Sequence, residues 1–188
     1  MRIGVLALQG DFREHQEIVL SLGHEAPSIR RSEELSGLDG LIIPGGESTT
    51  IALLAKNFDL INPIRQAIAT GLPVYGSCAG MILLSDHIID GAPNQETFGG
   101  IDMVVKRNAF GRQVDSFEGE IDFNGSNVHG VFIRAPWVES VGSAVQVLAE
   151  FSGHPVAVRQ GNLLATSFHP ELTNNSLVHR YFFDEMCR

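Results

Sequence analysis

The rhythm of apolar positions changes part-way along this chain. Arg2-Ile3-Gly4-Val5-Leu6-Ala7-Leu8 is an almost continuous apolar run, the mark of a strand buried on both faces of a parallel sheet. Gln9-Gly10-Asp11 turns the chain into a stretch from Phe12 to Leu22, where Phe12, Ile18, Val19 and Leu22 follow helical spacing and Gly23 closes the end. A weaker strand near Ala26 to Ile29 leads to a second buried run, Leu38-Asp39-Gly40-Leu41-Ile42-Ile43, which ends at Pro44-Gly45-Gly46. Glu47-Ser48-Thr49-Thr50 is a good helix start, and Ile51, Leu53, Leu54 and Phe58 supply its apolar positions. A further helix spans Ile61 to Thr70, opened by Pro63 and stopped by Gly71, and Leu72-Pro73-Val74-Tyr75 begins the next strand. Strands alternating with helices predict a parallel sheet whose strand ends gather their loops along one edge.

Beyond Leu84 the texture is different. Asp86 to Phe98 reads as loop. Segments near Ile101–Val105, Val114–Phe123, Val128–Ile133, Ala144–Glu150, Pro155–Arg159 and Leu163–Phe168 alternate or run apolar without helical spacing, so strands are expected there. Asn174 to Cys187, with Leu177, Tyr181, Phe182 and Met186, reads as a closing amphipathic helix. No internal repeat, low-complexity segment or linker divides the chain, and 188 residues with 44% hydrophobic content predict one α/β domain over residues 1–188.

Charge and cysteine count narrow the function. A net charge of -9 without a Lys/Arg cluster argues against a nucleic-acid partner. Two cysteines make no disulfide framework, and neither an export segment nor a membrane-length apolar span stands out, so a cytoplasmic protein without a membrane partner is expected.

The chemistry centres on Gly76-Ser77-Cys78-Ala79-Gly80. A strand, a Gly-x-Cys-x-Gly pentapeptide and the apolar run Met81-Ile82-Leu83-Leu84 describe a nucleophile elbow, with cysteine at the tip and glycines where a β-carbon would collide with the turn. The sulfur is expected at an exposed tip on a helix N-terminus, which favours thiolate. On its own a free cysteine is commonly a small buried hydrophobe; the flanking glycines favour the elbow.

A cysteine nucleophile needs a base and something to orient it. His169-Pro170-Glu171 follows the apolar strand Leu163 to Phe168, and an extended His-Pro-Glu puts His169 and Glu171 on one side. Glu171 would hold one ring nitrogen and leave the other facing sulfur. Taken alone this tripeptide reads equally as a surface turn. The N–H of Ala79, following the nucleophile, is one expected oxyanion donor, and Gly46 in Pro44-Gly45-Gly46-Glu47-Ser48 is the expected second. His15, His24, His87, His129, His154 and His179 show no suggestive spacing and are expected to be surface or packing residues. No cluster suggests a metal.

Together, Pro44-Gly45-Gly46-Glu47-Ser48, Gly76-Ser77-Cys78-Ala79-Gly80 and Ser167-Phe168-His169-Pro170-Glu171 resemble a class I glutamine amidotransferase over nearly the whole chain. More closely, Gly4 to Gly10, Arg107 to Phe117 and Val131 to Pro136 resemble the PdxT family, glutaminase subunits of pyridoxal 5'-phosphate synthase. That resemblance implies a flavodoxin-like, mostly parallel sheet with flanking helices. It also implies hydrolysis of L-glutamine to L-glutamate and ammonia, no cofactor, and a PdxS-type synthase subunit that receives the ammonia in a hetero-oligomer. By the same resemblance Cys78, His169 and Glu171 match the catalytic triad, and Gly46, Glu47, Ser48, Arg107, Ile133 and Arg134 match glutamine-binding positions. Without it, Arg107 and Arg134 would be ordinary surface charges. The rival readings are a cysteine hydrolase or peptidase on the same scaffold and a redox-sensing or binding protein built around the elbow cysteine, and Glu171 two residues after His169 argues against the second.

Overall fold

The computed structural model describes residues 1–109 and 116–187. The first half follows the βα rhythm: β1 (Ile3–Leu6), α1 (Phe12–Ser21), β2 (Ser28–Ile29), β3 (Gly40–Ile43), α2 (Ser48–Asn57), α3 (Ile61–Ala69), β4 (Val74–Ser77) and α4 (Ala79–Leu84). The second half is strand-rich, with β5 (Ser85–Ile89), β6 (Ile101–Lys106), β7 (Ser116–Phe123), β8 (Ser126–Ile133), β9 (Trp137–Val141), β10 (Gln146–Phe151), β11 (His154–Gln160) and β12 (Leu163–Thr166), closed by α5 (Leu177–Met186).

The central sheet has the order β10-β11-β12-β4-β3-β1-β2. From β2 across to β12 neighbouring strands are parallel, and β11 and β10 add an antiparallel edge. This is the expected mostly parallel α/β architecture. Alternation along each strand divides the core between two faces: Ile3, Val5, Ile42 and Tyr75 pack with Val19 of α1 and Phe182 of α5, whereas Leu6, Leu41, Ile43 and Val74 pack with Ile51, Ile64 and Met81 of the other helices. Both faces being covered explains why β1 and β3 read as continuous apolar runs.

Two strands depart from the expectation. The stretch from Asp86, expected to be loop, begins with β5, which pairs parallel to β6 in a small side sheet completed by β9. Most side chains of β5 and β9 are exposed or half-buried, so neither carries a readable apolar period. β7 and β8 form a hairpin beside the main sheet. The expected strand from Val114 is seen from Ser116 onward; its first residues, and part of the Arg107–Phe117 motif, lie outside the described residues.

Candidate active site

The elbow forms where β4 meets α4. Cys78 sits between them with φ 48° and ψ -98°, outside the usual regions for a residue with a side chain, and its N–H donates to Thr166 O of β12 at 2.7 Å. Such a conformation costs about 1–3 kcal/mol and is common at reactive positions. The turn closes only because its glycines lack side chains: a β-carbon on Gly76 would lie 2.5 Å from the Gly80 carbonyl, and one on Gly80 would overlap the Ile43 carbonyl of β3. Cys78 is only 6% exposed, so its sulfur lines the floor of a cavity rather than standing at an exposed tip. α4 is a short helix, and its contribution to thiolate formation is correspondingly small.

The stronger influence comes from the end of β12. His169 is anchored by its N–H to Val131 O of β8 at 2.8 Å, and the chain then makes one 3-10 turn, Pro170–Leu172. His169 Nδ1 donates to Glu171 Oε1 at 2.7 Å, and the ring lines the same cavity as the Cys78 sulfur, whose charge it feels. Burial works against a charged ring, but the sulfur and the carboxylate outweigh it and push the imidazolium up to about 11. Burial likewise opposes ionisation of Glu171, yet His15 and His169 hold its carboxyl well below the ordinary carboxylate range. Sulfur, imidazole and carboxylate in this arrangement can hold a thiolate, deliver a proton and take one back.

Above the sulfur is a cavity of about 310 Å³, sized for a small molecule. Each of Gly46, Glu47, Ser48, Ala79, Arg107, Ile133 and Arg134 lines it with Cys78 and His169, while Glu171 lies buried behind the ring. Glu47 caps α2 by accepting from the Thr50 N–H at 3.0 Å, and its other oxygen holds Arg107 Nη2 at 2.9 Å, so this carboxylate fixes a guanidinium at the cavity wall. The oxyanion loop is interlocked with the turn after β1. Asp11 N donates to Gly45 O at 3.1 Å, Glu47 N donates to Gln9 Oε1 at 2.8 Å, and Gly46 takes φ +145°. The Cys78 sulfur lies 4.0 Å from Ile133 O.

Gln9, Asp11, Ile82 and Asn108 also line the cavity and were not singled out from the sequence. Gln9 and Asp11 were within reach of that reasoning, since their turn leaves β1 at the same sheet edge as the other loops. Burial raises the Asp11 carboxyl above its ordinary value, and Asp11 Oδ2 lies 3.5 Å from His169 Nδ1. Asp11, His169 and Glu171 bring ligand atoms within 4.8 Å of one another, but a cation there would displace the proton joining His169 to Glu171.

The expectation for the remaining histidines needs correcting at two of them. His15 and His179 are fully buried and hydrogen-bonded to each other, in a polar nest behind Glu171. Their partners come from three separate parts of the chain, so no spacing marks them. His129 is a surface residue between Glu118 and Glu120, at 2.8 and 2.7 Å, and His154 stacks on Trp137. A larger, more open groove of about 670 Å³ between β7–β8 and residues 172–176 is not lined by either cysteine.

Known proteins resemble this chain in sequence and fold. Residues 5–188 match the model of the SNO glutamine amidotransferase family. The chain belongs to that family. It is 59% identical over 186 residues to pyridoxal 5'-phosphate synthase subunit PdxT of Frankia alni, covering 97% of this chain and 94% of that one. It is 60% identical over 185 residues to the PdxT subunit of Streptomyces coelicolor, covering 97% and 92%. A crystal structure described as a glutamine amidotransferase superposes with a TM-score of 0.94 at 50% identity, covering 100% of this chain and 99% of that one. A structure of PurLQS from Thermotoga maritima, 14% identical with a TM-score of 0.68 over 98% of this chain and 97% of that chain, shares the fold alone. Among the described residues no helix is long and apolar enough to cross a membrane.

Proposed function

We propose that this chain hydrolyses L-glutamine to L-glutamate and ammonia through Cys78, His169 and Glu171, and supplies the ammonia to a PdxS-type subunit for pyridoxal 5'-phosphate synthesis. The observation that carries the reading is that the Cys78 sulfur and the His169 ring, itself held by Glu171, meet at the floor of a small cavity with a fixed guanidinium at its wall. Family membership and the names of the PdxT relatives point the same way.

The thiolate attacks the side-chain amide carbon, and the developing oxyanion is met by the N–H groups of Ala79 and Gly46. His169 gives its proton to the departing nitrogen, the C–N bond breaks, and ammonia leaves behind a glutamyl thioester. Water then loses a proton to His169 and attacks the thioester carbon, and collapse restores the thiolate with release of glutamate. Glu171 keeps the ring oriented throughout. Arg107 and Arg134 offer charge to the α-carboxylate, and the carboxylate of Glu47, the Ser48 hydroxyl and the backbone at Ile133 offer acceptors to the α-ammonium. Residues 1–188 work as one glutaminase domain. Cys78 and Cys187 are both free thiols, as suits a reducing, cytoplasmic setting. The test is glutamate release from free glutamine with and without the synthase partner. Absence of release in both would overturn the reading.

A further inference from the structure

His15 has no part in the steps above, yet it sits fully buried on the inner face of α1 against the groups that perform them. Its Nε2 lies 2.9 Å from Ser77 Oγ, beside the nucleophile, and 3.5 Å from Glu171 Oε2. Its Nδ1 lies 2.9 Å from His179 Nε2 of α5. Tyr75 of β4 closes the nest edge-on to both rings, and Asp11 faces it from the turn ahead of α1. Glu171 Oε1 receives the His169 N–H, whereas the equally buried Oε2 makes no hydrogen bond and faces His15 Nε2 at 3.5 Å.

Of the two orphan atoms in the nest, Glu171 Oε2 and His179 Nδ1, the second fixes where its protons sit. His179 Nδ1 is buried without a partner. An unpaired lone pair is tolerated there better than an unpaired N–H, which is the rarer orphan in folded proteins. Burial keeps His179 neutral, holding it down to about 3. Its single proton therefore lies on Nε2 and is donated to His15 Nδ1, and an accepting Nδ1 leaves the His15 N–H on Nε2. That N–H faces Ser77 Oγ and Glu171 Oε2. The His179 N–H thus fixes the tautomer of His15, and the His15 N–H is the one turned toward the buried carboxylate.

We infer that His15 is a positioning residue for the proposed glutaminase reaction, its Nε2–H holding Glu171 by Oε2 so that Oε1 stays turned toward His169. This rests on the function proposed above. Without that donor the carboxylate can rotate to share its charge differently, His169 loses part of what favours its imidazolium, and Cys78 yields its thiolate only at higher pH.

The test compares His15→Gln, His15→Asn and His15→Leu, with folding checked by thermal melts. The Gln amide nitrogen can reach the place of Nε2, whereas Asn reaches only the place of Nδ1 and keeps the contact with His179 alone. Glutamate release is measured with the synthase partner, and the pH dependence of iodoacetamide alkylation is followed at Cys78 by peptide mapping. Expected for Leu and Asn is a kcat lower by about ten- to a hundredfold, the range typical of supporting residues behind a reactive group, with KM for glutamine little changed. The alkylation midpoint should move to higher pH in both, and Gln should restore kcat and midpoint toward the wild type. If Leu does not fold, the contrast between Gln and Asn decides alone. Equal behaviour of Gln and Asn, or a wild-type midpoint in a folded Leu variant, would overturn the inference. Failure of the wild-type protein to release glutamate would instead overturn the proposed function, since the alkylation midpoint is read without substrate.

Discussion

Gly10 and Gly45 meet backbone to backbone: a β-carbon on Gly10, which takes φ +95°, would overlap the Gly45 carbonyl oxygen. Asp11, next in the chain, holds that same oxygen through its N–H. In a trans peptide the C=O and N–H point in opposite directions, so the turn after β1 sets where the Gly46 N–H is aimed. Gly10→Ala should therefore push the oxyanion loop out of place. Loss of one oxyanion donor costs about a hundredfold or more in kcat, and glutamate release by a folded Gly10→Ala protein should fall on that scale. Unchanged turnover would separate this turn from the oxyanion site.

Truncation of the three reactive side chains should rank them. Cys78→Ala is expected to fold and to release no glutamate, since no other group in the cavity can form the thioester. His169→Asn should be nearly as damaging, while Glu171→Gln retains more activity, because an orienting group contributes less than the base it orients. Steady-state kinetics with the partner present would reveal the opposite order if the roles were reversed.

The buried pair also makes a statement about stability and pH. Glu171 is held below its ordinary value of 4.5 in the folded chain, so its contribution is present above 4.5 and is lost as pH falls below it. His169 is raised from 6.5 to about 11, so its contribution is complete below 6.5 and fades as pH rises toward 11. The Tm difference between the wild-type chain and Glu171→Gln should narrow below pH 4.5, and that between wild type and His169→Asn should narrow above 6.5. Differences that stay constant across both ranges would contradict the charge assignments.

The chain alone should be a poor glutaminase, and a PdxS-type subunit should raise its kcat. Hydrolysis without an acceptor wastes glutamine, and the Gly45-Gly46 peptide offers a means of control: between two glycines it can reverse its direction at little steric cost once Gly45 O gives up its bond to the Asp11 N–H. If the productive orientation is a state of about 1%, a partner must favour it by a few kcal/mol, which an interface of ordinary size can supply. Titrating the partner at saturating glutamine should give a kcat that rises and saturates. A kcat that starts high and stays flat would refute activation and leave the triad untouched.

What was legible in the chain follows from how each part is made. β1 and β3 announce themselves because helices cover both their faces, and the elbow does so because a sharp turn forces glycine at Gly76 and Gly80. His169 and Glu171 act as near neighbours in the chain, so their partnership is visible in a tripeptide. β5 and β9 escape notice because most of their side chains meet solvent, where no apolar period is required. The nest of His15, Ser77, Glu171 and His179 escapes it for a different reason: it is assembled from α1, β4, the turn after β12 and α5, and only the finished fold brings them together.

β4 and β12 run side by side with Ser77 directly opposite Thr166, and the two reactive groups stand just beyond those paired ends. Their separation is thus written into a ladder of main-chain bonds and owes nothing to the length of any connection on that edge. An insertion into the rim would leave sulfur and imidazole at the same distance. Deleting one residue inside β12 would instead turn His169 toward the opposite side of the sheet. A scaffold of this kind can exchange its mouth without retuning its chemistry, so the same reactive pair can be fitted to different consumers of ammonia.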